Sequence, residues 1–173
     1  MKKSILAIST IAFLFAACGS PSEEDAKTET PVSTEAPAET PAASEPVSAE
    51  ATVTINAGDD MKFDIDEIKV KEGQTVKLTL HHSGKMPITA MGHNFVLLAN
   101  GTSIEDFAKE AINAKDNDYI PKSLESSVIT HTKTIGGGES TEISFPAPAK
   151  GTYDFLCSFP GHSAMMKGIF IVE

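Results

Sequence analysis

Arginine is missing from this chain. All 14 basic side chains are lysines, set against 24 acidic residues, for a formal net charge of −10. Nucleic-acid binding needs a basic face against the phosphates, so nucleic acid is excluded as a partner. Cysteine is scarce, with only Cys18 and Cys157 in 173 residues. No long hydrophobic run is present either: the apolar stretch from Ile5 to Phe15 is too short for a permanent membrane span. Between Gly19 and Ala51 there are no aromatic residues and almost no large aliphatic ones, so that stretch cannot bury enough apolar surface to offset the entropy of ordering it.

What is present divides the chain in three. Lys2 and Lys3 followed by the Ile5 to Phe15 core form the pattern of an export signal over residues 1–17. The signal runs into Phe15-Ala16-Ala17-Cys18, which resembles the bacterial lipoprotein box, with Cys18 as the lipidated residue. Phe15 stands where that box usually has leucine. Residues 18–51 then form a Pro-, Ala-, Thr- and Glu-rich segment, with eight acidic residues against Lys27 after Cys18, and its composition predicts a disordered acidic linker. The expected product is exported, faces the periplasm or cell envelope, and is held to a membrane by lipid. The folded domain is expected over residues 52–173.

From Thr52 onward hydrophobic residues alternate with polar ones. Val53 and Ile55, Ile68 and Val70, and Val76, Leu78 and Leu80 each recur at period two, the signature of half-buried strands. The segments His93 to Leu98, Val128 to Thr134, Ser140 to Phe145, Thr152 to Cys157 and Lys167 to Val172 complete an all-β pattern of about eight strands. One segment departs from it. Ile104, Phe107, Ala108, Ala111 and Ile112 follow helical spacing, and Ser103 with Asp106 forms an N-terminal capping arrangement. A short helical insertion is therefore expected around residues 103–114.

The chemistry gathers near the C-terminus. Cys157, His162 and Met166 lie on one stretch broken by Phe159-Pro160-Gly161, a turn sequence between two predicted strands. His93 offers a second imidazole from a distant strand. If Cys18 carries lipid, Cys157 is a lone thiol in an exported protein, prone to oxidation unless a metal holds it as thiolate. Two imidazoles, one thiolate and one weak thioether form the ligand set of a blue-copper centre, because soft sulfur suits Cu(I) while imidazole suits Cu(II). Zinc accepts the same donors, although its structural sites usually use several cysteines.

The strings Met91-Gly92-His93-Asn94-Phe95-Val96-Leu97, His131-Thr132-Lys133, Ile135-Gly136-Gly137-Gly138-Glu139 and Cys157 through Gly168 resemble the cupredoxin family of blue copper proteins, in its azurin branch. The resemblance covers the whole predicted domain and is most specific in the last string. It implies a Greek-key β-sandwich holding one copper ion. His93, Cys157 and His162 would be equatorial ligands, Met166 a weak axial ligand and the Gly92 carbonyl a distant contact opposite. It also implies that Asn94 ties the ligand strand to Ser158, and that the N–H groups of Asn94 and Phe159 point at the Cys157 sulfur. Met61, Met86, Met91, Phe159, Pro160, Ala164 and Met165 match a family docking patch around His162. His82 and His131 match histidines that are not ligands, the first expected buried and the second at the surface. Two departures stand out. The disulfide common in azurins has no cysteines here, and Phe95 replaces a buried tryptophan found in some members.

The resemblance implies a monomeric carrier that cycles Cu(II) and Cu(I) between redox proteins such as c-type cytochromes and terminal reductases or oxidases. An oxidase or nitrite reductase would need a further copper centre, and only His81, His82 and His131 remain, scattered along the chain. A copper chaperone or storage protein is the alternative, and it favours exposed, exchangeable ligands.

Overall fold

The computed structural model describes residues 49–173. The predicted signal (1–17), Cys18 and almost all of the predicted linker lie outside the described residues.

Among the described residues, eight strands form two sheets. β1 (Glu50–Ala57), β3 (Thr75–His82) and β6 (Ser140–Pro146) make a three-stranded sheet in the order β1-β3-β6, and β2 (Glu67–Val70), β8 (Lys167–Val172), β7 (Gly151–Leu156), β4 (Val96–Leu98) and β5 (Val128–His131) make a five-stranded one in the order β2-β8-β7-β4-β5. The pairs β1·β3 and β2·β8 are parallel and the rest antiparallel. This is the expected Greek-key β-sandwich.

Period-two alternation turns one face of each sheet inward. In β3 it buries Val76, Leu78, Leu80 and finally His82. Opposite them lie Phe155, Phe170 and Val172 from β7 and β8. Phe155 is the hub of the aromatic packing, with ring centroids 5.3 Å from Phe95 and 5.8 Å from Phe63. The fully buried Phe95 and Phe155 rings contribute about 1.5–3 kcal/mol each. β4 lies between β7 and β5 and buries all three of its residues, which is why its sequence reads as an unbroken apolar run.

Element ends differ from the sequence expectation in several places. β1 begins at Glu50, which pairs with Thr75, so the first described strand starts two residues before the compositional boundary. The strand read from His93 is regular only from Val96, and His93 makes an isolated bridge to Ile135. β5 stops at His131 rather than at Thr134. The insertion forms a helix over Ile104–Ala111, the second among the described residues (α2), with Ser103 Oγ accepting from the Asp106 N–H at 3.2 Å. Phe107 and Ala111 are buried beneath it, whereas Ile112 is 55 % exposed. At about 100° per residue Ile112 falls about 80° around from Ile104, at the edge of the stripe. A one-turn helix, α1 (Ile88–Met91), follows Pro87.

A candidate metal centre at one pole of the sandwich

β1 and β3 end together at this pole, with Ala57 paired to His82. Each donor is held by neighbouring backbone. His93 is locked to Ile135 by two hydrogen bonds, 3.0 Å from its own N–H and 2.9 Å to its carbonyl. Cys157 follows β7 and donates its N–H to the Met166 carbonyl at 2.9 Å. Met166 and Met165 donate in turn to the His162 carbonyl at 2.8 and 3.0 Å. Gly161, at φ +84°, supplies the left-handed turn before His162. The loop thus closes on itself and leaves Cys157, His162 and Met166 buried.

The Cys157 Sγ lies 3.9 Å from His93 Nδ1, 3.7 Å from His162 Nδ1 and 3.9 Å from the Gly92 carbonyl oxygen. The sulfur and the two nitrogens all lie within 4.8 Å of one another. An ion bonded to sulfur at about 2.3 Å and to nitrogen at about 2.0 Å, with trigonal angles, spreads those donors about 3.7 Å apart, so the spacing fits a single first-row metal. Gly92 has no room for a side chain: a Cβ would meet the Ile88 carbonyl and the Phe159 ring, both at 2.7 Å.

Electrostatics favour a metal in the same place. Burial pushes the Cys157 thiol up to about 12, although the N–H groups of Asn94 and Phe159 aimed at the sulfur act in the opposite direction. Burial also lowers His93, and takes His162 down to about 4, with smaller contributions from the neighbouring imidazoles. Both rings are therefore neutral at pH 7, the form that binds metal. The His93 Nε2–H donates to the Gly58 carbonyl at 2.9 Å, which leaves Nδ1 unprotonated and facing the sulfur. A buried thiolate needs a cation to offset its desolvation, and of the first-row divalent ions copper binds a sulfur and imidazole set most tightly.

Around the donors, Asn94 is fully buried. Its Nδ2 donates to Ser158 Oγ at 2.8 Å and to the Asp118 carbonyl at 2.7 Å, and its Oδ1 accepts from the Ser158 N–H at 2.8 Å. His82 is fully buried with its ring 4.4 Å from that of His93. Its Nε2–H donates to the Met91 carbonyl at 2.7 Å and its Nδ1 accepts from the Gly84 N–H at 3.1 Å. His131 is exposed. Among the patch residues, Met86 (40 %) and Met165 (56 %) are exposed, as is Ala164, while Met61, Met91 and Pro160 are half-buried and Phe159 is buried. Met61 packs against the core. Sequence reasoning missed Ile88, 42 % exposed on the turn before Met91. It also missed Gly58, whose backbone carbonyl sets the His93 tautomer, and the pair Asp118 and Tyr119.

Comparison with known proteins agrees with this geometry. Residues 49–173 match the model of copper binding proteins of the plastocyanin/azurin family. The chain belongs to that family. It is 39 % identical over 130 residues to azurin of Pseudomonas chlororaphis, covering 72 % of this chain and all of that protein. It is 37 % identical over 125 residues to outer membrane protein H.8 of Neisseria gonorrhoeae, covering 70 % of this chain and 67 % of that one. Among solved structures, auracyanin A, a "blue" copper protein of Chloroflexus aurantiacus, superposes with a TM-score of 0.65 at 30 % identity, over 72 % of this chain and 99 % of the other. This cupredoxin is a type 1 copper electron-transfer protein with copper as its cofactor.

Proposed function

We propose that this cupredoxin is a tethered one-electron shuttle of the cell envelope. Copper, when bound, supplies a Cu(II)/Cu(I) couple. His93, Cys157 and His162 would hold it, with the Met166 thioether and the Gly92 carbonyl as weaker contributors. The observation that carries the reading is the convergence of the Cys157 sulfur with both imidazole Nδ1 atoms, at 3.7 and 3.9 Å. The protein's own contribution is rigidity. The donors are at most 3 % exposed and backbone hydrogen bonds fix the segments that carry them, so little has to move between oxidation states. Burial also excludes water.

Electrons would pass through the face around His162, where Met86, Ala164 and Met165 are exposed beside Pro160, Met61, Met91 and Phe159. An uncharged, methionine-rich face suits brief encounters with several partners, such as c-type cytochromes and terminal reductases or oxidases. The chain enters the domain at Glu50, opposite Thr75, while the other end of the β1·β3 pair reaches Ala57 and His82 beside the metal centre. Seven strand steps separate these ends, about 23 Å, so a tether joined at the start of β1 would attach at the end of this strand pair away from the metal centre. The likeness to a protein named for the outer membrane supports an envelope location. Buried, rigidly held ligands favour a carrier over a copper chaperone or store.

The test is the absorption spectrum of the copper-loaded protein. An intense blue thiolate-to-copper band, bleached reversibly on reduction and lost in Cys157→Ser, is the expected result. Only weak d–d absorption would discard the reading.

A further inference from the structure

The segment that contributes no ligand but touches both sides of the centre is Asp118-Tyr119. Both residues are in the left-handed region, Asp118 at φ 50° and Tyr119 at φ 59°. That conformation is unusual for tyrosine and persists only where surrounding contacts impose it. The contacts are specific. The Asp118 carbonyl accepts from Asn94 Nδ2 at 2.7 Å, and its carboxylate Oδ1 accepts from the Thr134 N–H at 2.8 Å. Thr134 precedes Ile135, whose backbone holds His93 from both directions. The Tyr119 ring meets Phe159 edge-on at 5.1 Å, and the Phe159 ring lies 4.6 Å from that of His162.

We propose that Asp118 is a positioning residue of the copper centre, holding the His93-Asn94 segment through its carbonyl and the Thr134-Ile135 segment through its carboxylate. The inference rests on the ligand reading above. It assigns Asp118 a role separable into two parts, backbone conformation and carboxylate acceptor. Asp118→Asn keeps an oxygen acceptor and tolerates the left-handed region, so it should behave like the parent. Asp118→Gly keeps the conformation and loses the acceptor. Asp118→Ala loses both.

Two readouts decide. In the copper-free protein, amide hydrogen exchange at Thr134 and Ile135 should speed up about tenfold or more in the Gly and Ala variants and stay at the parent rate in Asn. In the copper-loaded protein, release of copper to a chelator should be several-fold faster, and the copper hyperfine splitting altered, in Gly and Ala only. A melting temperature lowered in Gly and Ala, with release rate and hyperfine splitting as in the parent, would reduce Asp118 to a purely structural residue and overturn the proposal. A change in Asn as large as in Ala would overturn the acceptor role. If Ala fails to fold, Gly against Asn still isolates the carboxylate. A parent that binds no copper in a blue site would sink the ligand reading instead, and the exchange rates would still judge Asp118.

Discussion

Truncating Asn94 to alanine tests how far one buried side chain holds the two ligand segments together. Asn94 is 0 % exposed, and Ser158, which takes two of its three hydrogen bonds, is 1 % exposed. Each bond contributes about 0.5–1.5 kcal/mol net, and a buried donor left unpaired costs about 1–3 kcal/mol. In Asn94→Ala the Ser158 N–H loses its acceptor and the Asp118 carbonyl its donor. The expected loss is about 3–5 kcal/mol, a large part of the 5–15 kcal/mol typical of a whole domain, and about 10–20 °C in melting temperature. Urea unfolding of the copper-free protein at pH 7 measures it without any contribution from metal. Asn117→Ala is the control: its side chain makes one hydrogen bond, Nδ2 to the Ile120 carbonyl at 2.8 Å, and is half-buried, so about 1 kcal/mol is expected. A loss below about 1 kcal/mol in Asn94→Ala, equal to the control, would refute the reasoning, because it would mean that water takes over the bonds at no cost.

Three further outcomes follow from the site. The His162 imidazole is held near 4 by burial against about 6.5 when unfolded. The unfolded chain therefore binds the proton first, and the copper-free protein should lose up to about 3 kcal/mol as pH falls from about 6.5 to 4. Melting temperatures across that range should show a steeper fall in the parent than in His162→Ala, and equal slopes would contradict the assignment. Met166→Leu keeps the volume of a fully buried side chain, costs less than about 1.5 kcal/mol, and should leave the blue band while raising the reduction potential; loss of copper would show the thioether to be a strong ligand. Gly92→Ala forces a Cβ within 2.7 Å of both the Ile88 carbonyl and the Phe159 ring. The strain should cost about 1–3 kcal/mol and shift the blue band by displacing the ring beside His162. An unshifted band and unchanged stability would show the loop to be soft.

Much of this was legible in the chain because it rests on side-chain type and period. A thiol, an imidazole and a thioether around one turn, with a second imidazole from a distant segment, point to their own chemistry, and strand alternation sends His82 inward as the fourth buried residue of β3. The helix start at Ser103 was legible for the same reason, since a capping hydroxyl has a sequence pattern. What was not legible depends on backbone. The Gly58 carbonyl that fixes the His93 tautomer carries no residue signature. The left-handed conformations of Asp118 and Tyr119 are imposed by contacts with Asn94, Thr134 and Phe159, all distant along the chain. α1 spans one turn and shows no period at all. The half-burial of Met61 could not be read from its type, since methionine suits both core and docking face.

X-ray absorption at the copper edge of the oxidised protein tests the central claim most directly. One short sulfur neighbour and two imidazole nitrogens around a single copper, with the sulfur shell vanishing in Cys157→Ser, is the expected result. A shell of nitrogen and oxygen alone, unchanged by that substitution, would place the metal elsewhere and contradict the account.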